Sequence, residues 1–395
     1  MDRFQTFFFR IWRNSVLVLS LALITYLLYF HRLGSLLPGY SSTELHAYRT
    51  AGDWHHIFHN PINAPFSALV WLLTAVWHHG ILATRIVSAV FGLGAALLFY
   101  AIARIQHEYR VSFLATILFA TSAGLLHDAR LGNGQILQMA VLVLIAAFLY
   151  AQRLQHDRRY GFGYLMAALM ALLWYIPGML WIELFGLAVM QGGLRRQLRY
   201  TPVRHLFGWI VTFLVVVSPL VYASVRNWHV ALDAAGLPHD VHSLSHIVSR
   251  LLDTILAIGI HSNGSPVMWL SHVPLLNAVE LVLGAFGAYY YLGRHRTARS
   301  VFLVGTTLLA IVLISLGGTV GYACLVPLLY LFISRGIDQL LKRWTTVFPR
   351  NPIARFTGVV VVCVMLFFSA LYQVRAYYVA WPHAPATRQA FRHKG

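Results

Sequence analysis

The sequence predicts an all-α integral membrane protein of about eleven transmembrane helices, and three observations carry that prediction. Of 395 residues, 58% are apolar and only 11% charged, less than half the roughly 25% that solvates a soluble domain. The apolar residues fall in long runs rather than on one stripe of each helical segment. The positive charges, 30 Lys+Arg against 12 Asp+Glu, gather in short stretches between alternate runs. This composition excludes a soluble enzyme, a coiled coil and a disordered regulator.

Taken in order, the chain opens with Arg3, Arg10 and Arg13 before an apolar run at 16–30. These look like the charged and apolar regions of a signal peptide. No small-residue cleavage site follows, so the run is read as a retained signal anchor. Further spans are expected at 84–103, 111–127, 135–151, 162–176, 178–191, 206–224, 275–292, 301–315, 319–334 and 355–373. Several are shorter than the ~20 residues of a perpendicular span. Segment 62–79 is also apolar, and counting it as a span would invert everything after it.

Charge decides between the two topologies. If 62–79 lies along the outer interface and the N-terminus is cytoplasmic, 20 of the 30 Lys and Arg residues face inward. They cluster at Arg104 and Arg110, at 153–159, at 195–204, at 294–299 and at 335–355. If 62–79 crosses, only 11 of the 30 do. The positive-inside rule selects the first arrangement: N-terminus in, C-terminus out. It also explains the basic charge without a nucleic acid, because the arginines anchor short inner loops near anionic lipid heads. The expected organisation is a membrane domain over 1–373, with long external loops at 31–83 and 225–274, and a short basic external tail at 374–395. Cys324 and Cys363 fall in apolar runs and read as buried structural thiols.

This topology places Glu44, Asp53, Asp128, Asp233, Asp240 and Asp253 outside, with 16 of the 20 histidines. Function is therefore sought on the extracytoplasmic face. In the first loop, PGYSSTELHAY lets Ser41 or Ser42 cap a short helix that sets Glu44 and Tyr48 on one face. Glu44 reads either as a solvated loop acid or as a general base at a cavity mouth. The third span ends in SAGLLHDARLGNGQ. There Asp128 and Arg130 are expected at the water interface, either as an ion-paired helix end or with Arg130 facing an anion beside Asp128, Asn133 and Gln135.

These loops, in this order, resemble the GT-C superfamily of polyprenyl-phosphate-dependent glycosyltransferases, and especially the bacterial relatives of protein O-mannosyltransferases and aminoarabinose transferases. An acidic first loop matches PGYSSTELHAY, and a Pro-containing interfacial stretch matches NPINAPFSALVWLL. The Arg-led ATRIVSAVFGLGAALLFYAIAR and the turn TSAGLLHDARLGNGQ follow, and YACLVPLLYLFISRGI resembles a late span of the family. The resemblance implies an inner-membrane enzyme of the bacterial cell envelope. It would transfer a sugar from an outward-facing polyprenyl-phosphate donor to a protein, glycan or lipid acceptor, with inversion. Glu44, with Asp128, would be catalytic: a hydroxyl is a poor nucleophile, so a carboxylate must take its proton. Arg130, Asn133, Gln135 and Arg85 would organise substrate, Arg85 as a phosphate candidate.

The sequence departs from the family pattern in three places. Thr43 stands where an Asp usually precedes the Glu, Gln135 where an acid usually follows the second-loop Arg, and Gly321 where an Arg opens the late span. Two rivals therefore stand beside the transferase. One is a lipid-linked-sugar flippase using the in-span acids Glu183 and Glu280. The other is a noncatalytic relative that binds lipid-linked glycan.

The remaining candidates are weaker. Trp54 and Trp269 could stack on a sugar, Tyr48 could bind substrate beside Glu44, and Arg250 could meet a headgroup or donor phosphate. The stretch 241–260 reads as an amphipathic interfacial helix. His239, Asp240, His242 and His246, like His55, His56 and His59, carry no metal motif, so no metal or cofactor is assigned. Trp77, Trp174, Trp181, Trp228 and Trp381 suit interfacial belts.

Overall fold

The computed structural model describes residues 2–77, 80–153, 160–240, 243–262, 264–267 and 272–392; the chain is 80% helical and these residues contain no strand. After α1 (Asp2–Phe30), the first loop folds as α2 (Ser42–Gly52), α3 (Trp54–His59) and α4 (Ala64–Val76). Then come α5 (Leu82–Gln106), α6 (Tyr109–Ala120), α7 (Ala123–Arg130), a 3-10 turn (Gln135–Ala140) running into α8 (Val141–Arg153), α9 (Tyr160–Leu173), α10 (Met179–Tyr200) and α11 (Val203–Arg226). The second long loop holds α12 (Trp228–Ala235) and α13 (Leu244–Gly259). It leads to α14 (Ala278–Leu292), α15 (Ala298–Ser315), a 3-10 turn (Tyr322–Cys324), α16 (Leu325–Val347) and α17 (Pro352–Arg375). A π turn (Ala376–Ala380), α18 (Trp381–His383) and α19 (Pro385–Ala390) end the described chain.

Every expected apolar segment coincides with a helix. Among the described residues, six helices are long and apolar enough to cross a membrane: Leu82–Gln106, Gln135–Gln152, Val203–Arg226, Ala298–Ser315, Tyr322–Val347 and Pro352–His383. The third expected span, 111–127, is not straight. It bends by 57° between α6 and α7, and counted as one span the pair makes a seventh. The break has a local cause. Thr121 returns its hydroxyl to the Ile117 carbonyl at 2.9 Å, and the Ser122 hydroxyl accepts the Leu125 N–H at 3.2 Å, so side chains satisfy the backbone where the helix stops. Four shorter apolar helices, Ser15–Phe30, Ala64–Val76, Gly161–Leu173 and Ala278–Leu292, fall below a full span length.

The bundle has two chemically distinct ends. At one, Tyr291 donates to Gln106 at 2.9 Å and Arg299 to Gln152 at 2.9 Å. There the buried Asp338 takes bonds of 2.9 Å from both Arg335 and Lys342, with His107 at 3.6 Å. This is the arginine-rich end. At the other, the Asn63 N–H donates to Tyr175 O (2.8 Å), Gly178 N–H to Ala234 O (3.0 Å), Thr319 to Asp233 O (3.0 Å) and Trp381 to Pro266 O (3.0 Å). Both long loops, the 131–140 segment and the chain after 376 thus converge at that end, called here the site end.

Two peripheral elements follow from their sequence. In α4, Phe66 and Val70 are buried against the bundle, while Leu69, Trp71, Leu72 and Val76 are exposed, as suits a helix lying in an interface. In α13, Leu244, Val248, Leu252 and Ile255 form an exposed apolar stripe, with Thr254 and Ala257 buried beneath. The short basic tail is helical and docked through Ala390. Trp381 and Phe391 are fully buried, edge-on to one another at 5.5 Å, so Trp381 is a core residue rather than part of an interfacial belt.

Candidate functional site

The site end is built around the start of α2. Ser41 caps that helix in a reciprocal box: its hydroxyl accepts the Glu44 N–H at 3.2 Å, and the Ser41 N–H donates to Glu44 Oε2 at 2.9 Å. The box turns the Glu44 carboxylate inward, where Arg85 of α5 meets it at two points, Nε–Oε1 2.7 Å and Nη2–Oε2 3.0 Å. The Gly132 N–H adds a bond to Oε1 at 3.2 Å and the Ser41 hydroxyl one to Oε2 at 3.2 Å. Arg85 spends its other donors on the carbonyls of Leu33 (3.2 Å) and Gly39 (3.0 Å), and lies over the Tyr40 ring. Glu44 is fully buried and Arg85 only 2% exposed. A Cβ at Gly132 would lie 2.7 Å from Thr84 Cβ, so only glycine brings this backbone close enough to reach Glu44.

Glu44 is therefore neither the solvated acid nor the accessible group considered from the sequence. Both of its oxygens are occupied, and burial in this state is affordable because the charge is paired and fully hydrogen-bonded. Thr43, its neighbour, is exposed, and its hydroxyl lies 2.9 Å from that of Ser41. Tyr48 is half-buried one turn further along α2. Arg85 is largely committed as well, its Nε and both Nη2 hydrogens going to Glu44 and Gly39 and one Nη1 hydrogen to Leu33.

Arg130 departs from its expected setting in the same way. The sequence predicts a water-interface position, whereas the side chain is 3% exposed. Nε donates to Tyr377 at 3.1 Å, and Nη1 to Leu28 O (2.9 Å), Tyr29 O (2.9 Å) and Tyr378 (3.1 Å). The guanidinium closes the open carbonyls at the C-terminal end of α1, and it is not ion-paired with Asp128. Asp128 is also buried, at 5% exposure. It makes no hydrogen bond or ion pair among the described residues.

The end of α7 packs against both 3-10 turns. Asn133 accepts the Gln135 N–H at 3.2 Å, closing the intervening turn. Gln138, which the sequence reading passed over, joins the two turns: Nε2 donates to Thr319 O at 2.9 Å and Oε1 accepts the Gly321 N–H at 2.7 Å. The signal was present, since Gln135 and Gln138 are three apart and share a face of a 3-10 turn. On the far side of the 316–322 segment, Thr254 of α13 donates to Arg250 O at 2.7 Å. Arg250 rests on Gly317, where φ is +76° and a Cβ would overlap its Nη1. Its guanidinium donates to no protein acceptor among the described residues.

The other candidates lie elsewhere. Trp54 is 42% exposed and stands 5.1 Å from both Phe58 and Trp71, in an aromatic patch with α4. Trp269 and His242 lie outside the described residues. Glu183 accepts the Trp174 indole N–H at 3.1 Å. Glu280 is fully buried, accepting from Asn277 N–H (3.1 Å), Ser369 (3.2 Å) and Gln373 (2.7 Å) as part of the α14 capping box. Among the described residues no group of three or more His, Cys, Asp or Glu side chains is placed to hold a metal ion. Asp233 and His239 pair at 3.0 Å on the rim.

The all-helical bundle is similar in fold to solved structures of an archaeal oligosaccharyltransferase and of ArnT. Residues 61–222 match the family described as dolichyl-phosphate-mannose-protein mannosyltransferase. That segment contains Arg85, Asp128, Arg130, Gly132, Gln135 and Gln138. The chain is similar in structure to the apo oligosaccharyltransferase of Archaeoglobus fulgidus (TM-score 0.57, 13% identity, 94% of this chain and 56% of that one). A second structure of the archaeal enzyme, AglB with an inhibitory peptide and a dolichol-phosphate, matches at TM-score 0.53 and 14% identity over 98% of this chain and 57% of the other. ArnT of Cupriavidus metallidurans, bound to undecaprenyl phosphate, matches at TM-score 0.50 and 15% identity over 95% and 76%. The chain thus spans a little over half the length of the archaeal enzyme. No curated protein sequence matches it.

Proposed function

We propose that this protein transfers a sugar from a polyprenyl-phosphate donor to an acceptor at the site end of its bundle. That end faces the extracytoplasmic side of the inner membrane, and eleven helices cross with the N-terminus inside. What carries this reading is the coincidence of the matched segment, 61–222, with the framework that holds the site end together. Arg250, the one arginine of the three considered for phosphate whose guanidinium donates to no acceptor among the described residues, supplies the cation for the departing lipid phosphate. Asp128 accepts from no donor among the described residues and takes the acceptor hydroxyl's proton as the sugar bond forms. Glu44 and Arg85 hold the loop that carries Thr43, with Gln138 fixing the two turns of the opposite wall.

A second reading, a protein that binds lipid-linked glycan without turnover, is favoured by one observation: the first-loop acid is saturated and no acid stands at 43. Proteoliposomes supplied with a panel of labelled polyprenyl-phosphate sugars and a cell-envelope extract separate the two. A transferase consumes one donor, and Asp128→Asn lowers that rate by about 100-fold, the scale of general-base catalysis, while donor binding is kept. Donor binding without turnover for any sugar overturns the transferase reading and supports the binding protein.

A further inference from the structure

The outward face of the last long helix carries a shallow, open groove, formed by this one segment, that the proposed transfer does not use. It has a volume of about 440 Å³ and is lined by Phe368, Tyr372, Arg375, Ala376, Val379 and Ala380, among others. Residues 368, 372, 376 and 380 recur every fourth position and so share one face. The opposite face of the same segment looks into the bundle. There Gln373 donates to Glu280 at 2.7 Å, Tyr377 accepts from Arg130 at 3.1 Å and Trp381 donates to Pro266 O at 3.0 Å. Groove and site are thus separated by the thickness of a helix.

Three features bear on what occupies the groove. It lies along the 32-residue apolar stretch Pro352–His383, so its apolar lining meets acyl chains rather than water. The helix widens into a π turn at Ala376–Ala380, and such turns recur at functional positions. Arg375 is the one formal charge among the lining residues and is exposed at the site end of the helix. It makes no hydrogen bond or ion pair among the described residues. A cation above an apolar groove, at the depth where a membrane helix leaves the hydrocarbon, is complementary to an anionic phosphate with two fatty chains.

We propose that this groove binds one anionic glycerophospholipid, its phosphate on Arg375 and a chain along the Phe368–Ala380 face. The lipid braces the π turn whose inner face holds Arg130 through Tyr377 and Tyr378. The inference is independent of whether sugar transfer occurs.

Native mass spectrometry of the detergent-purified full chain tests it, with phosphatidylglycerol and phosphatidylcholine of identical chains added in equal amounts. Wild type should retain one lipid and prefer phosphatidylglycerol about fivefold, the factor one arginine near a surface gives. Arg375→Gln should erase the preference without changing the unfolding temperature, because Arg375 makes no hydrogen bond or ion pair among the described residues. Ala376→Trp should lose the lipid altogether. Equal retention of both lipids by wild type, or an undiminished preference in Arg375→Gln, overturns the proposal. So does displacement of phosphatidylglycerol by equimolar undecaprenyl phosphate, which would assign the groove to a donor lipid.

Discussion

Glu44 and Arg85 meet as a buried two-point ion pair, Nε to Oε1 at 2.7 Å and Nη2 to Oε2 at 3.0 Å, with neither side chain more than 2% exposed. The pair joins the first loop to α5, and Gly132 ties the 131–135 turn to the same carboxylate. Removing one member of such a pair leaves an uncompensated charge and costs about 3–5 kcal/mol, whereas replacing both with apolar residues can be near neutral. Glu44→Gln should therefore unfold at a markedly lower temperature in detergent, and Glu44→Leu with Arg85→Leu should recover most of the loss. A double variant no more stable than the sum of its singles would show that the two are not coupled. The same series separates brace from base. If Glu44 is a brace, the activity of Glu44→Gln follows its folded fraction; if it were the proton acceptor, folded protein would be inactive.

Arg250 depends on Gly317 for its place. Gly317 has φ of +76°, and a Cβ there would overlap Nη1 of Arg250. Gly317→Ala should therefore displace the guanidinium and weaken donor binding as Arg250→Gln does, by about tenfold, the scale of a charge-assisted hydrogen bond. Arg250→Lys should not restore it, since a point charge cannot replace the planar fork. Binding of a fluorescent polyprenyl-phosphate sugar to detergent-purified protein reads this out. Unchanged affinity in Gly317→Ala would remove Arg250 from the donor site.

The helices were legible because each is an apolar run closed by arginines, turns or prolines, and the Ser41 cap because Ser-Ser-Thr-Glu carries its spacing in the sequence. The partners of the buried charges were not. Arg130 is held by Tyr377 and Tyr378 and by carbonyls at the end of α1, and no local pattern links residues so far apart. Arg85 and Arg130 each sit at the end of an apolar run, where a charge must find a partner or a cavity. That requirement was readable; the choice between partner and cavity was not. The 57° break at Thr121–Ser122 was likewise hidden inside a run whose hydropathy is continuous.

The two ends of the bundle differ in charge, so the orientation of the chain is testable. Arg104, Arg110, Arg294, Arg296 and Arg299 lie toward the end held by the Tyr291–Gln106 and Arg299–Gln152 bonds. In a background with Cys324 and Cys363 replaced, a cysteine at exposed Thr43 should react with a membrane-impermeant maleimide in intact cells. One at exposed Arg296 should react only after permeabilisation. The reverse pattern would place the site end in the cytoplasm and remove the extracytoplasmic reading.

Thr43 offers a gain-of-function test. It is exposed in the first turn of α2, next to the saturated Glu44, with its hydroxyl 2.9 Å from Ser41 Oγ. An aspartate there faces the positive end of the helix dipole, which stabilises it by about 0.3–1 kcal/mol, and it leaves the Glu44–Arg85 pair untouched. Thr43→Asp should therefore fold as wild type does. If proton removal from the acceptor limits the rate, it should turn over donor at least ~10-fold faster, since a positioned base contributes 10²–10⁴-fold when fully effective. The gain should fall away as pH drops through the carboxylate range, because only the ionised form accepts a proton. A folded Thr43→Asp protein with unchanged turnover would mean that Asp128, or a step other than proton transfer, already sets the rate. If Asp128→Asn then stays as active as wild type, Asp128 is excluded as the base.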